Sequence, residues 1–338
     1  MNKSPIFSVI MPVYNSTIYL EEAIKSIAKQ NFKDLEVIII EEEAEDGKDI
    51  GSTDGTFELA GDLLKNYALA GKAVKRPSSS PKGAGSCRNY GCRIANGQFL
   101  AFLDSDDLWL PDHISNIYKY FEEYGQEMGA YCAGGIIFDG VKELGKMPHY
   151  GFPCIGLQDI SEQLLSGGNF IPTQSLCVRK EVFLMTNGFH ELLKCYEDWW
   201  FVLQLSKKTK FYINPDTLCR IRVRGDGLSR TNDTENGKIK MSSWMFTDML
   251  RLRGFAVKSG FFRGLEIKVL DNYITGFFVL FLSDLICGRV WIEVGRIFKA
   301  MYTAGRLGFP LWPRIWRKVY FNVVKRAVKK LKVNLNLN

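Results

Sequence analysis

The sequence predicts an α/β fold in which a mostly parallel sheet is flanked by helices and followed by a C-terminal helical extension. Three observations predict it. The apolar runs Ile6 to Met11, Leu35 to Ile40 and Phe99 to Leu103 are short and largely unbroken, as in strands buried on both faces. Segments with apolar residues at helical spacing separate them, as crossovers between parallel strands require. The 338 residues suffice for one large domain with an appendage, or for two domains, with apolar content for a real core.

The first strand is broken by Pro12-Val13-Tyr14-Asn15-Ser16, a turn-forming cluster. Leu20, Ala23, Ile24, Ile27 and Ala28 then mark a helix, with Ser16 or Thr17 available as N-cap. The second strand, Leu35 to Ile40, runs into Glu41, Glu42 and Glu43. After a polar stretch, Gly51-Ser52-Thr53-Asp54-Gly55-Thr56 is a turn that can cap a helix from about Phe57 to Leu69, and Lys75 to Pro81 reads as loop. Gly83-Ala84-Gly85-Ser86-Cys87-Arg88 invites a dinucleotide-binding reading but fails it, because Arg88 replaces the third glycine. A helix carrying Arg88 and Asn89 near its start fits better, and it leads through Asn96-Gly97 into the third strand. That strand stops abruptly at Asp104-Ser105-Asp106-Asp107. Open α/β sheets bind ligands beyond the carboxyl ends of their strands, so these acids stand where a site belongs.

Bulk properties narrow the function. Eight cysteines without a C-x-x-C pair indicate neither a zinc site nor a disulfide framework. No signal-peptide pattern opens the sequence, which places the catalytic part in the cytoplasm. The net charge of +7 is uneven: Arg289 to Asn338 holds 12 basic residues and one acid, a charge of +11, leaving −4 for the rest. A mildly acidic body argues against a nucleic-acid partner.

In order along the chain, Ser8-Val9-Ile10-Met11-Pro12-Val13-Tyr14-Asn15, Gly51 to Thr56, Arg88-Asn89, Asp104-Ser105-Asp106-Asp107 and Glu197-Asp198 make a specific combination. From about Phe7 to Ser229 the chain resembles family 2 inverting glycosyltransferases, whose domain is the Rossmann-like GT-A fold. The resemblance implies a GT-A domain over residues 1–230. Its nucleotide-sugar-binding half is 1–110, its acceptor half is 111–230, and a basic helical region follows at 231–338. It implies that the first loop, with Pro12, Tyr14 and Asn15, and the end of the second strand hold base and ribose. Asp104 and Asp106 become the metal-associated D-x-D and Asp198 the catalytic base. Asp54, Arg88, Ser105, Glu197 and Arg224 complete the expected donor site.

The chemistry fits those residue types. A departing diphosphate is stabilised by Mg²⁺ or Mn²⁺ held on hard oxygen ligands, which Asp104 and Asp106 supply. Asp107 is expected to bind ribose or, the preferred reading, to cap the next helix. Asp198 would take the proton from an acceptor hydroxyl as it attacks the anomeric carbon opposite the diphosphate, so that the configuration inverts. Trp199 and Trp200 suit either sugar stacking or the core. His113, His149 and His190 lack partners at metal-ligand spacing.

Two departures from the family pattern stand out. An extra acidic segment separates Glu41-Glu42-Glu43 from Gly51-Ser52, so either Glu41, preferred as the first residue past the strand, or Asp49 would bind the base. Arg224 stands where many relatives carry histidine, and arginine can contact diphosphate but cannot ligate a metal. In the tail, Ile274 to Ile286 is short for a spanning helix. Trp316, Tyr320, Val323, Ala327 and Leu331 share one helical face with lysines opposite, a pattern for lying on anionic lipid at the inner face of the cell membrane. The expected partners are a nucleotide-sugar donor, a saccharide or lipid-linked acceptor, and that membrane surface. The rival readings are a nucleotidyltransferase and a membrane-docked nucleotide-sugar-binding protein without turnover.

Overall fold

A computed structural model describes residues 4–42, 51–77, 83–148, 151–224 and 235–274. The chain divides into two compact units. The first holds nearly all of residues 1–224 and is built on a ten-stranded sheet. Its opening strands β1 (Phe7–Pro12), β2 (Leu35–Glu42), β3 (Gly71–Arg76) and β4 (Phe99–Phe102) pair in parallel in the order β3-β2-β1-β4. Crossover helices α1 (Thr17–Ala28), α2 (Thr56–Asn66) and α3 (Ala84–Ile94) connect them. Beyond β4 the pairing is mixed. Strand β5 (Leu108–Trp109) and helix α4 (His113–Tyr124) lead to β6 (Met128–Phe138), β7 (Glu143–Met147) and β8 (Gly156–Gln158). Helix α5 (Ser161–Gly167), strand β9 (Cys177–Arg179) and helices α6 (Lys180–Leu184) and α7 (Glu197–Ser206) precede the long β10 (Lys210–Arg222). β9 runs antiparallel to both β4 and β6, whereas β6 and β10 are parallel.

Alternation along the strands divides the core into two layers. Val9, Met11, Val37, Ile39 and Ala101 join one cluster with Leu20, Ile24 and Ile27 of α1, Leu63 and Leu64 of α2, and Ile114, Ile117 and Phe121 of α4. The intervening residues Ile10, Ile40 and Phe102 meet α3 and α7. Gly91 of α3 is required there, because a Cβ would lie 2.6 Å from Ile40 Cδ1 and 2.8 Å from Ile10 Cγ2. Phe102 packs edge-on against Phe189 and Phe201 of α7, with ring centroids 5.3 and 6.0 Å away. A fully buried aromatic stabilises by about 1.5–3 kcal/mol, so these contacts fix α7 and the acids at its start against β4.

Several expectations change. Residues expected to begin a loop at Lys75 extend β3 to Arg76, because this polar segment pairs with β2 as the sheet edge. Glu41 lies inside β2 rather than past its end, opposite Lys75. Strand β9 (Cys177–Arg179) is preceded by a 3₁₀ turn over Thr173–Ser175. Asp107 caps no helix: Asp112 takes the N-cap of α4, and the Asp107 carboxylate accepts the Arg222 N–H at 2.6 Å. Ser16 stands at the N-cap of α1, but its hydroxyl bonds Tyr14 O and Ser105 Oγ instead of a helix N–H.

In the second unit, α8 (Glu235–Lys258) is followed by a helix over 265–274. The buried pair Arg253–Asp271 joins them at 2.5 Å. Asp248 of α8 accepts the N–H groups of Lys194 and Cys195 at 2.8 and 3.0 Å. No helix among the described residues is long and apolar enough to cross a membrane. Asp49, His149 and the expected membrane-binding segment from Trp316 onward lie outside the described residues.

Candidate functional site

The parallel register aligns the carboxyl ends of β1, β2 and β4, with Pro12 opposite Ile40 and Ile10 opposite Phe102. The loops that leave these ends are knitted together by short polar side chains. Asn15, at φ 44, accepts the Thr53 N–H on its side-chain oxygen at 2.8 Å and donates its own N–H to Ser52 Oγ at 3.0 Å. Asp54 accepts from the N–H and hydroxyl of both Thr17 and Thr56. Burial opposes its charge, but these hydrogen bonds together outweigh it and hold its carboxyl below the usual range. Ser16 and Ser105 hydroxyls meet at 2.7 Å. Glu41, only 1% exposed, accepts the Ser52 N–H at 3.1 Å and lies 3.9 Å from Lys75 Nζ. Asn15, Glu41, Asp54 and Ser105 thus build the loop frame, and Tyr14 projects from it, 58% exposed.

Past β4 the chain turns sharply, closed by the Asp107 N–H donating to Asp104 O at 3.1 Å. Asp104 is bound on both oxygens, by Arg88 Nη2 at 2.6 Å and by Gln174 Nε2 at 3.1 Å. Asp106 Oδ2 lies 3.4 Å from Arg224 Nη1. Burial and then the neighbouring Asp104 charge raise the Asp106 carboxyl, with Arg224 pulling the other way; burial followed by Asp106 and Asp104 raises Asp107 strongly. A turn carrying this much mutual repulsion is a place where a cation is favoured.

Arg88 links this turn to the second acid centre. Its other terminal nitrogen reaches Glu197 Oε1 at 3.3 Å. Burial opposes the Arg88 charge, yet Asp104 and Glu197 outweigh it and hold the guanidinium firmly ionised. Gly85 gives Glu197 room, since a Cβ there would meet Glu197 Cγ at 3.2 Å. Asn89, next to Arg88, exchanges two hydrogen bonds with the backbone of Phe189 and so anchors that loop. Asp198 is surrounded by neutral donors: Asn169 Nδ2 at 3.0 Å, Thr173 Oγ1 at 3.5 Å and the Trp199 N–H at 2.7 Å. Burial raises its carboxyl, and burial followed by the Asp198 charge pushes Glu197 up to about 7. Trp199 and Trp200 are 0% and 5% exposed and belong to the core. His113 is buried and stacked on Trp109, and burial drives it down to about 3, so it stays neutral.

Asn169 and Thr173 lie in a segment legible in the sequence only as a loop near the acceptor side, and nothing in the sequence singles out Gln174. The 3₁₀ turn brings Thr173 to Asp198 and Gln174 to Asp104, so adjacent residues serve both acid centres.

Among the described residues no group of three His, Cys, Asp or Glu side chains is placed to hold a metal. Asp104 and Asp106 are the residues that could hold a divalent ion, together with oxygens of its ligand. The donor set fits it: both groups are hard carboxylates, and each oxygen of Asp104 keeps a second lone pair beyond its present hydrogen bond.

The family model for glycosyl transferase family 2 matches residues 8–183. An uncharacterized glycosyltransferase of Rickettsia conorii is 26% identical over 276 residues, covering 78% of this chain and 41% of that protein. The minor teichoic acid biosynthesis protein GgaB of Bacillus subtilis is 29% identical over 238 residues, covering 69% of this chain and 24% of that protein. The chain thus spans less than half the length of these relatives. Among solved structures, S. aureus TarS 1–349 in complex with UDP-GlcNAc superposes with a TM-score of 0.56 at 18% identity, covering 96% and 91% of the two chains. The mannosyltransferase PcManGT from Pyrobaculum calidifontis, in complex with GDP-Man and Mn²⁺, gives 0.52 at 16% identity over 98% and 88%.

Proposed function

The chain belongs to glycosyl transferase family 2, and from that premise we propose that it moves a sugar from a nucleotide-diphosphate donor onto a hydroxyl of a glycan or lipid-linked acceptor, with inversion. The observation that carries this reading is the pairing of two acid centres through Arg88, with Asp104 on one side and Glu197 on the other.

Tyr14 offers an aromatic face for the base beside Pro12 and Asn15, and Glu41 frames that end of the pocket. Asp104 and Asp106 would hold Mg²⁺ or Mn²⁺, and the ion would supply positive charge to offset that of the departing diphosphate. Arg224 adds a cation to the same phosphates. Asp198 has the surroundings of a general base: it is raised by burial, so its proton affinity suits a hydroxyl better than that of an exposed aspartate. Asn169 and the Trp199 N–H orient its oxygens. The complexes of TarS with UDP-GlcNAc and of PcManGT with GDP-Man and Mn²⁺ support a nucleotide-sugar donor and a metal. The name of GgaB supports a cell-surface polymer as the product. In this reading residues 1–230 carry catalysis, and the basic region 231–338 docks on the anionic inner face of the cell membrane.

A panel of nucleotide sugars tests this, with donor hydrolysis and transfer followed with and without Mn²⁺. One donor is expected to be consumed and its consumption to need the metal. Binding without consumption of any donor would instead leave a nucleotide-sugar-binding protein.

A further inference from the structure

Three arginines at the end of β10 form a stack that the roles above use only at its tip. Arg220 and Arg222 share one face of the strand because side chains alternate, and Arg224 follows at the same spacing. The Phe138 ring lies against the guanidinium carbons of Arg220 and Arg222 at 4.4 and 4.6 Å. The Tyr19 ring lies 5.1 Å from those of both Arg222 and Arg224. Aromatic faces attract cations, so rings placed in this way let like charges stand close together.

Arg222 is the hub. Its side chain is 7% exposed and pairs through Nη2 with Glu22 of α1. Its Nε donates to the Asp106 carbonyl at 2.9 Å, and its backbone N–H donates to Asp107 Oδ1 at 2.6 Å. Gly140, at φ +107, leaves space for the guanidinium, since a Cβ there would stand 3.1 Å from Nη1. The acid turn therefore accepts from the strand end twice, once on the Asp106 carbonyl and once on the Asp107 carboxylate. Two residues on, Arg224 meets the Asp106 carboxylate.

We infer that Arg222 is a positioning residue that locks the Asp104 to Asp107 turn onto the end of β10 and thereby sets Asp106 and Arg224 in register for the donor diphosphate. The lock stands on the geometry alone; its consequence for the diphosphate rests on the donor reading above. Removing the grip leaves the Asp106 carbonyl without its guanidinium donor and frees the turn to shift.

The test uses the full chain as wild type, R222M and R222K, with melting temperature confirming that each variant folds. Amide hydrogen exchange of a peptide covering residues 104–109 is measured first. In R222M it is expected to rise by at least about tenfold while exchange in β1 stays unchanged. Calorimetric titration with UDP and with GDP, with and without Mn²⁺, follows. Mn²⁺-dependent binding is expected to weaken about 10–100-fold in R222M, the range seen when supports of metal ligands are removed. Metal-free binding should change little. R222K keeps the cation between the rings but lacks the second donating nitrogen, and it should fall between. A folded R222M with wild-type exchange at 104–109 would overturn the inference. Faster exchange with unaltered Mn²⁺-dependent binding would uphold the lock and overturn the placement of the diphosphate at the turn.

Discussion

Asp104 and Asp106 face arginines, whereas Asp198, another aspartate at the rim of the same unit, is held by an amide, a hydroxyl and a backbone N–H. Arginines beside the first pair offset part of the negative charge of the turn, although burial and the Asp104 charge still raise the Asp106 carboxyl. Neutral donors bond the Asp198 oxygens, and burial raises its affinity for a proton, with the Trp199 N–H and the Arg88 charge pulling the other way. The two centres thus differ in the charge of their hydrogen-bond partners and not in residue type, while burial raises a carboxyl in each. Arg88 joins the two settings and lowers the Glu197 carboxyl, although burial and the Asp198 charge outweigh it.

The largest effect is expected from D198N. Removing a general base slows turnover about 10²–10⁴-fold, checked by initial rates at saturating donor, with nucleotide binding unchanged. Next comes R88M. It leaves Asp104 and Glu197 without their shared cation, and breaking such a buried network costs about 3–5 kcal/mol, measurable by urea unfolding at neutral pH. A subtler effect concerns pH. Glu197 titrates near 7 in the folded chain against an ordinary value of 4.5, because burial and then Asp198 disfavour its charge. The folded state therefore binds more protons than the unfolded state between these values, and stability falls as pH rises from about 4.5 to about 7. E197Q should flatten that slope in unfolding measurements across this range. The smallest effect is expected from D54A. It removes loop hydrogen bonds and should cost about 1 kcal/mol. Because the Asp54 carboxyl is lowered in the fold, its contribution is present above its ordinary value of 3.8 and lost as pH falls below it, so wild type and D54A should converge in acid unfolding curves.

Where burial alone decides structure, the sequence was readable. β1, β2 and β4 are central strands covered on both faces, and their residues announce it. β3 is not legible, because an edge strand reading Gly71-Lys72-Ala73-Val74-Lys75-Arg76 is half exposed and patterned like a loop. β6 and β10 are hidden for other reasons: glycines interrupt the first, and Asn214-Pro215-Asp216 interrupts the second at a register shift. The acids at the strand ends were visible as abrupt breaks in apolar runs. Their partners were not, since Gln174 lies 70 positions from Asp104 and Asn169 lies 29 from Asp198. Asp107 shows the limit of local reasoning, because its partner is an N–H on β10, 115 positions away. Only tertiary pairing could reveal that.

Division of labour between the two acid centres is tested most directly by titrating UDP and GDP, each with Mn²⁺, into wild type, D106N and D198N in a calorimeter. One nucleotide is expected to bind wild type with Mn²⁺ dependence, D106N to lose that dependence and D198N to keep it. Loss of binding in D198N, or wild-type Mn²⁺ dependence in D106N, would contradict that division of labour.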